Sequence, residues 1–82
     1  MKNKIIRSSL QMGPLLKELR KEKNLTQIEL YEQSNILPKT ISALENGNSN
    51  CSIESLLNFI NSCGYHIELS KNEVSNNTGG EW

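Results

Sequence analysis

The stretch LTQIELYEQSNILPKTISALENG, residues 25–47, decides the fold of this chain. Thr26 and Glu29 have the spacing of a capping box, in which each side chain accepts a hydrogen bond from the other residue's backbone amide. A helix is therefore predicted to begin at Thr26 and to continue through about Gln33. Ser34-Asn35 is expected to break this helix, because asparagine tolerates a left-handed backbone better than other non-glycine residues.

A second helix is predicted to follow directly. Pro38 suits a first helical position, where its missing N–H would be unpaired anyway, and the helix is expected to run to Asn46 and end at Gly47. The apolar residues that would fill the angle between the two helices are Leu30, Ile36, Ile41 and Leu44. Two such helices form a helix-turn-helix, whose second helix normally enters the major groove of DNA.

Several short segments carry a closer resemblance: Leu25-Thr26-Gln27, Glu29-Leu30, Thr40-Ile41-Ser42, Leu44-Glu45 and Gly47. They resemble the signature of the Cro and phage-repressor (XRE) helix-turn-helix family. The resemblance covers about residues 12–64 and implies an all-α helix-turn-helix domain of four to five helices. Tyr31 and Asn35 depart from the family pattern, which usually has alanine and glycine at these two positions. Because tyrosine is larger than alanine, Tyr31 predicts that the two helices of the motif cross at a greater distance.

The charges of the 82-residue chain are unevenly distributed, although its formal net charge is zero. Residues 1–23 hold seven of the nine Lys and Arg residues and only two Glu, whereas residues 24–82 hold two Lys and seven Glu. This asymmetry indicates one face for phosphates, with an ordinary solvated helix face as the alternative. Residues 1–11 are interpreted as a basic N-terminal arm, either lying along a phosphate backbone or pinned to the core.

Two further helices are predicted on either side of the central pair. The first is expected to open at Gly13-Pro14 and run through Lys23, with Leu15, Leu16 and Leu19 facing inward and Lys17, Arg20, Lys21 and Lys23 outside. Ser52 is expected to cap the last helix, whose apolar stripe is read as Ile53, Leu56, Leu57, Ile60 and Cys63. Phe59 lies off that stripe and predicts a second buried face against a partner subunit.

Residues 65–70 change from a helical to an alternating pattern, with Tyr65, Ile67 and Leu69 apolar. A lone strand leaves its backbone groups unpaired, so this segment is predicted to be a dimerisation strand that pairs with the same strand of a second copy. An extended segment packed on its own helices is the alternative. Phe59, Tyr65, Ile67 and Leu69 are thus the predicted dimer contacts of a homodimer.

Residues 71–82 are predicted to be a disordered C-terminal tail, because KNEVSNNTGGEW has too few apolar residues to order itself. Trp82 at its end is interpreted as an anchor for the pocket of another protein, since aromatic residues dominate such contacts.

Catalysis, metals and membranes are not expected. The chain has no aspartate, one histidine, two cysteines without a CxxC motif, and no glycine-rich phosphate loop. We therefore expect no enzyme, no metal site and no cofactor. The basic N-terminus is not followed by a signal-peptide core, and no apolar run reaches transmembrane length, so a cytoplasmic protein is expected.

The family resemblance implies roles for particular residues. It places Gln27 on a phosphate at the start of the first helix of the motif, where the helix N-terminus favours anions. It assigns base-edge contacts to Pro38, Lys39, Ser42 and Ala43, and backbone contacts to Thr40 and Asn46. Lys39 is the one strong candidate reader, able to donate to guanine O6 and N7, with a phosphate contact as the alternative.

The order of a helix-turn-helix, a fourth helix, one strand and a tail ending in Glu81-Trp82 is similar to the HipB family of antitoxins. That resemblance implies a dimeric autorepressor that binds an inverted-repeat operator in double-stranded DNA. It also implies a HipA-like serine/threonine-kinase toxin as partner, contacted by Glu81 and Trp82. The alternative is a stand-alone, phage-type transcriptional repressor without a toxin.

Overall fold

Four α-helices make up the fold in the computed structural model, which describes residues 3–48 and 50–72. They are α1 (Met12–Glu22), α2 (Gln27–Ser34), α3 (Pro38–Glu45) and α4 (Ile53–Ser62), and a single 3-10 turn, Ser9–Gln11, precedes α1. This confirms the all-helical class. The described residues contain no strand, and residues 65–70 form neither helix nor strand. Strand pairing between two copies stays a prediction, because one copy alone cannot supply the partner's backbone groups.

The ends of α2 and α3 lie where the sequence predicts them, within one residue. Thr26 Oγ1 accepts a hydrogen bond from the Glu29 amide at 3.1 Å, and Glu29 Oε1 accepts one from the Thr26 amide at 2.8 Å. Asn35 has the left-handed conformation, with φ of 63°. Pro38 is the first residue of α3. The predicted capping box and turn are therefore confirmed.

The core lies where the four helices meet. Its buried apolar residues are Leu16, Leu19, Leu30, Ile36, Ile41, Leu44, Phe59, Ile60 and Cys63. This list includes all four residues that were predicted to fill the angle of the helix-turn-helix. Tyr31, by contrast, lies at the surface with 37 % of its area exposed.

The prediction for α4 was partly wrong: Leu56, Ile60 and Cys63 face the core as predicted, but the rest of the stripe does not. Phe59 is completely buried in the chain's own core, which removes the reason for placing it in a dimer interface. Ile53 and Leu57 are instead 69 % and 38 % exposed. The inward stripe consists of Leu56, Phe59, Ile60 and Cys63, a set that satisfies the same i, i+3, i+4, i+7 spacing as the predicted one. Spacing alone did not choose between the two.

A backbone-to-backbone contact fixes the start of α1 against the end of α3. Gly13 is buried, and a Cβ atom at this position would lie 2.7 Å from the Glu45 carbonyl oxygen and 3.0 Å from the Gly47 amide nitrogen. No side chain fits there without moving backbone. Glycine at position 13 therefore allows α1 to support the C-terminal end of α3 directly.

Candidate nucleic-acid interface

Helix α3 divides into an inward and an outward face. Ile41 is completely buried and Leu44 is 6 % exposed, and these two residues hold the helix on the core. The residues predicted to face DNA all retain accessible surface: Pro38, Lys39, Thr40, Ser42, Ala43 and Asn46. Asn46 is the C-cap residue that follows the helix. The structure thus brings the predicted DNA-contacting residues of α3 together on one accessible side.

Leu37 adds an apolar side chain at the start of this face. It occupies the N-cap of α3, makes no side-chain cap hydrogen bond, and is 59 % exposed. Sequence reasoning missed it. The available signal was its position, because Ser, Thr, Asp and Asn are strongly preferred at an N-cap and leucine is disfavoured.

Gln27, the predicted phosphate-contacting residue, begins α2 and is half-buried. Its side-chain Nε2 donates a hydrogen bond to Glu45 Oε1 at 3.2 Å, which connects the start of α2 to the last residue of α3. This hydrogen bond fixes the start of α2 relative to the end of α3. The contact with phosphate itself stays a prediction.

A buried ion pair lies behind this face. Arg20 Nε donates to Glu45 Oε2 at 2.5 Å and Arg20 Nη2 donates to Glu45 Oε1 at 2.9 Å. Arg20 Nη1 also donates to the Leu25 carbonyl oxygen at 2.7 Å. The two charged side chains are only 9 % and 4 % exposed. One arginine therefore ties α1, the loop before α2 and the end of α3 together.

This position corrects the prediction that Arg20 lies on the outside of α1 with the lysines. Arg20 follows Leu16 by four residues and Leu19 by one, so it belongs to the inward stripe of the helix. The four-residue spacing from Leu16 therefore indicated an inward position for Arg20. The prediction instead assumed that a charged side chain is exposed to solvent, which holds for most charged residues but not for those in buried ion pairs.

The protonation of the pair follows from its surroundings. Burial alone would raise the pKa of the Glu45 carboxyl, but hydrogen bonds from Arg20 and Gln27 and the nearby charges of Arg20 and Lys17 hold that pKa below its ordinary value. The hydrogen bond to Glu45 raises the pKa of Arg20. Glu45 is therefore ionised at neutral pH and accepts hydrogen bonds from both residues.

The predicted basic face is smaller than the sequence suggests. Arg20 is neutralised by Glu45, and Lys4 Nζ lies 3.2 Å from carboxylate oxygens of both Glu18 and Glu22. The exposed basic residues between positions 3 and 23 are Arg7, Lys17, Lys21 and Lys23. Of these, Lys17 acts electrostatically on Glu45, the last residue of α3.

The N-terminal arm is pinned to the body of the protein at Lys4, which favours the second of the two interpretations for that part of the arm. The hydrogen bonds of Lys4 with Glu18 and Glu22 raise its pKa. Tyr65 Oη donates a hydrogen bond to Glu22 Oε1 at 2.9 Å. That bond and the one from Lys4 lower the pKa of Glu22. Both ends of the described chain thus meet on α1.

The remaining predicted contact residues are placed as follows. Tyr65 is half-buried, while Ile67 and Leu69 are 48 % and 96 % exposed. Their exposure suits contact with another chain, and dimerisation stays a prediction. Glu81 and Trp82 lie outside the described residues. Across residues 3–48 and 50–72, no group of three or more metal-ligating side chains is suitably placed for an ion, and no helix has the length and apolarity needed to cross a membrane.

Comparison with known proteins gives concordant matches to this geometry. A family model described as helix-turn-helix matches residues 16–70. The chain is 25 % identical, with a TM-score of 0.77, to a chain in a HipA-HipB-O2-O3 complex, covering 87 % of this chain and 100 % of that one. A chain of a HipB-O2 20mer complex matches with the same identity and TM-score over 88 % and 100 % of the two chains.

A structure described as MDT Protein matches at 25 % identity with a TM-score of 0.76, over 87 % of this chain and 100 % of that one. The search of curated proteins finds no match.

Proposed function

The chain belongs to the helix-turn-helix family of the Cro/C1 (XRE) type and resembles HipB, and from this premise we propose that it is the antitoxin of a type II toxin-antitoxin system. It binds an inverted-repeat operator in double-stranded DNA as a homodimer and represses its own operon. It also binds a HipA-like serine/threonine-kinase toxin. It has no catalytic role of its own.

The main support for DNA binding is the accessible face of α3. The Arg20–Glu45 ion pair fixes the end of this helix on its buried side. A recognition helix needs a fixed orientation so that three or four side chains reach base edges together. Here Ile41 and Leu44 anchor the helix in the core, and Glu45 connects its end to Arg20 and Gln27. Similarity to HipB chains in complexes with O2 supports the same conclusion.

Within this face the residues have different tasks. Lys39 is exposed and donates to guanine O6 and N7, whereas Ala43 contacts a thymine methyl group. Leu37, exposed at the N-cap, adds a second apolar contact of that kind. Pro38 has no donor, so DNA shape supplies part of the specificity. Gln27 and Lys17 contact phosphates and position the protein without reading sequence.

The test begins with selection of bound duplexes from a random library, which should return inverted repeats with half-sites about 10–21 bp apart. Against the selected site, Lys39→Ala should cost roughly 1–3 kcal/mol in binding free energy and relax the preference at one base pair. Gln27→Ala should lower the binding affinity for all DNA sequences by a similar factor. Lys21→Ala, on the exposed side of α1 and outside α3, is the charge-matched control for Lys39.

A uniform loss of affinity for Lys39→Ala, with a salt slope smaller by about 1, would assign Lys39 to a phosphate. Absence of any preferred sequence would reject the proposed operator recognition.

Dimerisation is proposed to use residues 65–70, whose Ile67 and Leu69 are exposed. Ile67→Pro removes a backbone donor and prevents strand pairing, so the dimer should dissociate and lose most of its operator affinity. Ile67→Thr, which keeps a β-branched side chain and the donor, should retain a dimer. Light scattering distinguishes the two, and an unchanged Ile67→Pro dimer would place the interface elsewhere.

Toxin binding is proposed to use Glu81 and Trp82. Insertion of Trp82 into a pocket of the kinase would contribute roughly 3–5 kcal/mol, offset in part by ordering of the tail. Deleting both residues should weaken binding to the kinase encoded next to this gene while leaving operator binding unchanged. Calorimetric titration of both forms measures this. Equal affinities would reject the anchor, and absence of a kinase partner would leave a stand-alone repressor.

A further inference from the structure

We propose that Leu37 makes operator binding depend on the 5-methyl group of a pyrimidine, so that methylation of a cytosine at the contacted base strengthens binding. Thymine presents this methyl group in the major groove. 5-Methylcytosine carries it on the same ring carbon, whereas unmodified cytosine lacks it. This inference rests on the proposed operator recognition by α3 and names the chemical group that one residue of that face reads. An enzyme that methylates cytosine C5 in the operator would therefore tighten repression.

Leu37 lies where a recognition helix meets the bases. The N-terminal residues of such a helix contact base edges in the major groove. Leu37 is the N-cap of α3, with φ of −58° and ψ of 144°. The preceding residue, Ile36, is 5 % exposed and fixes this end of the helix in the core, whereas Leu37 is 59 % exposed. The leucine side chain is therefore available to DNA at the point where the helix would enter the groove.

The fold itself gives no reason for a leucine at this position. Thr26 and Ser52 cap α2 and α4, each accepting a hydrogen bond from a backbone amide at 3.1 Å. Leu37 makes no such bond, although serine, threonine, asparagine and aspartate are strongly preferred over leucine at an N-cap. Within the described part of the chain, it also does not belong to the core or to the apolar side chains packed against it. Its apolar surface is left for contact with another molecule.

The groove chemistry that suits this side chain is a methyl group. The side chains of Leu37 and Pro38 have no hydrogen-bonding atom, so they cannot distinguish bases by their donors and acceptors. The C5-methyl group is the apolar feature that a base pair presents in the major groove. Removing one group of this size from water is worth roughly fourfold in affinity. A dimer on two half-sites would show the effect twice, about fifteenfold in all.

Substituted operators test this assignment with the full-length protein. In the operator selected from the random library, each thymine is replaced in turn by deoxyuridine, which removes only the methyl group. Fluorescence anisotropy should find a thymine in each half-site at which deoxyuridine weakens binding roughly fourfold. At that same base, 5-methylcytosine should bind roughly fourfold more tightly than cytosine.

Leu37→Ser separates recognition from stability. Serine is a preferred N-cap residue, so this variant should be at least as stable to heat as wild type, while it lacks the apolar contact. Both methyl-dependent differences in affinity should disappear. Ala43→Ser introduces the same side chain at the other apolar position of the face. This matched control should keep both differences at the base that Leu37 contacts.

Differences that persist in Leu37→Ser would overturn the proposal and assign the methyl effect to DNA shape. Their loss in Ala43→Ser alone would overturn it as well and assign the methyl contact to Ala43. A selected operator without any methyl-dependent base would reject the role of Leu37 while leaving operator recognition by α3 intact. Failure to select any preferred sequence would instead reject operator recognition, and this inference with it.

Discussion

Replacing Arg20 by methionine removes three hydrogen bonds at once. Glu45 keeps only the donor of Gln27, at 3.2 Å, while its carboxylate stays 4 % exposed. Removing one partner of a buried ion pair typically costs about 3–5 kcal/mol, because the other charge is left uncompensated. A domain of 82 residues has about 4–12 kcal/mol of total stability. Arg20→Met should therefore lower the melting temperature by at least about 12 °C.

Urea unfolding followed by circular dichroism measures the loss, with Lys21→Met as the control of equal charge change on the exposed side of α1. The double variant Arg20→Met, Glu45→Met should recover most of the stability, because a buried pair replaced by apolar side chains is often close to neutral. The operator affinity of this double variant should nevertheless be lower than that of wild type, because Gln27 has lost its hydrogen-bond partner Glu45. A cost below about 1 kcal/mol for Arg20→Met would refute the reasoning and mean that the pair is effectively solvated.

Variants at three further positions test separate parts of the fold. Gly13→Ala should lower the free energy of unfolding by about 1–3 kcal/mol, because its Cβ atom would lie 2.7 Å from the Glu45 carbonyl oxygen. Thermal unfolding measures this change, and an unchanged stability would mean that the backbones of α1 and α3 can move apart without cost. Asn35→Ala should cost about 1–2 kcal/mol at its φ of 63°, and Asn35→Gly should cost nothing. Because the pKa of Glu45 is lowered in the folded state, its contribution to stability is present above about pH 4.3 and is lost as the pH falls through the folded-state value. Glu45→Gln should therefore lose less stability than wild type as the pH falls below about 4.3, and parallel acid profiles of the two proteins would contradict this.

The helix-turn-helix was predictable because its information is local. The capping box of Thr26 and Glu29, the left-handed Asn35 and Pro38 at the first turn each depend on residues at most three positions apart. Local signals of this kind survive in almost any tertiary setting. The accessible face of α3 followed once Ile41 was assigned to the core, because helical periodicity then fixes the other side.

What escaped prediction depends on contacts between distant positions. Arg20 and Glu45 are 25 residues apart, so nothing beside either residue indicates that the other neutralises it. Phe59 is completely buried, although helical spacing alone allowed two orientations of α4. Glu22 binds both Lys4 and Tyr65, and Tyr65 follows Glu22 by 43 residues, a relation that only the assembled fold reveals.

The hydrogen bond between Gln27 and Glu45 also bears on how fast an operator is found. A free glutamine side chain samples many rotamers, and immobilising it on binding costs about 0.5–1.5 kcal/mol. Here that freedom is already lost when the protein folds, since Glu45 holds the amide in place. Encounters with DNA then meet a surface whose shape is already set, so a larger share of collisions in the correct orientation proceeds to a bound complex. Differences in affinity between DNA sites are therefore expected to arise mainly from their dissociation rates.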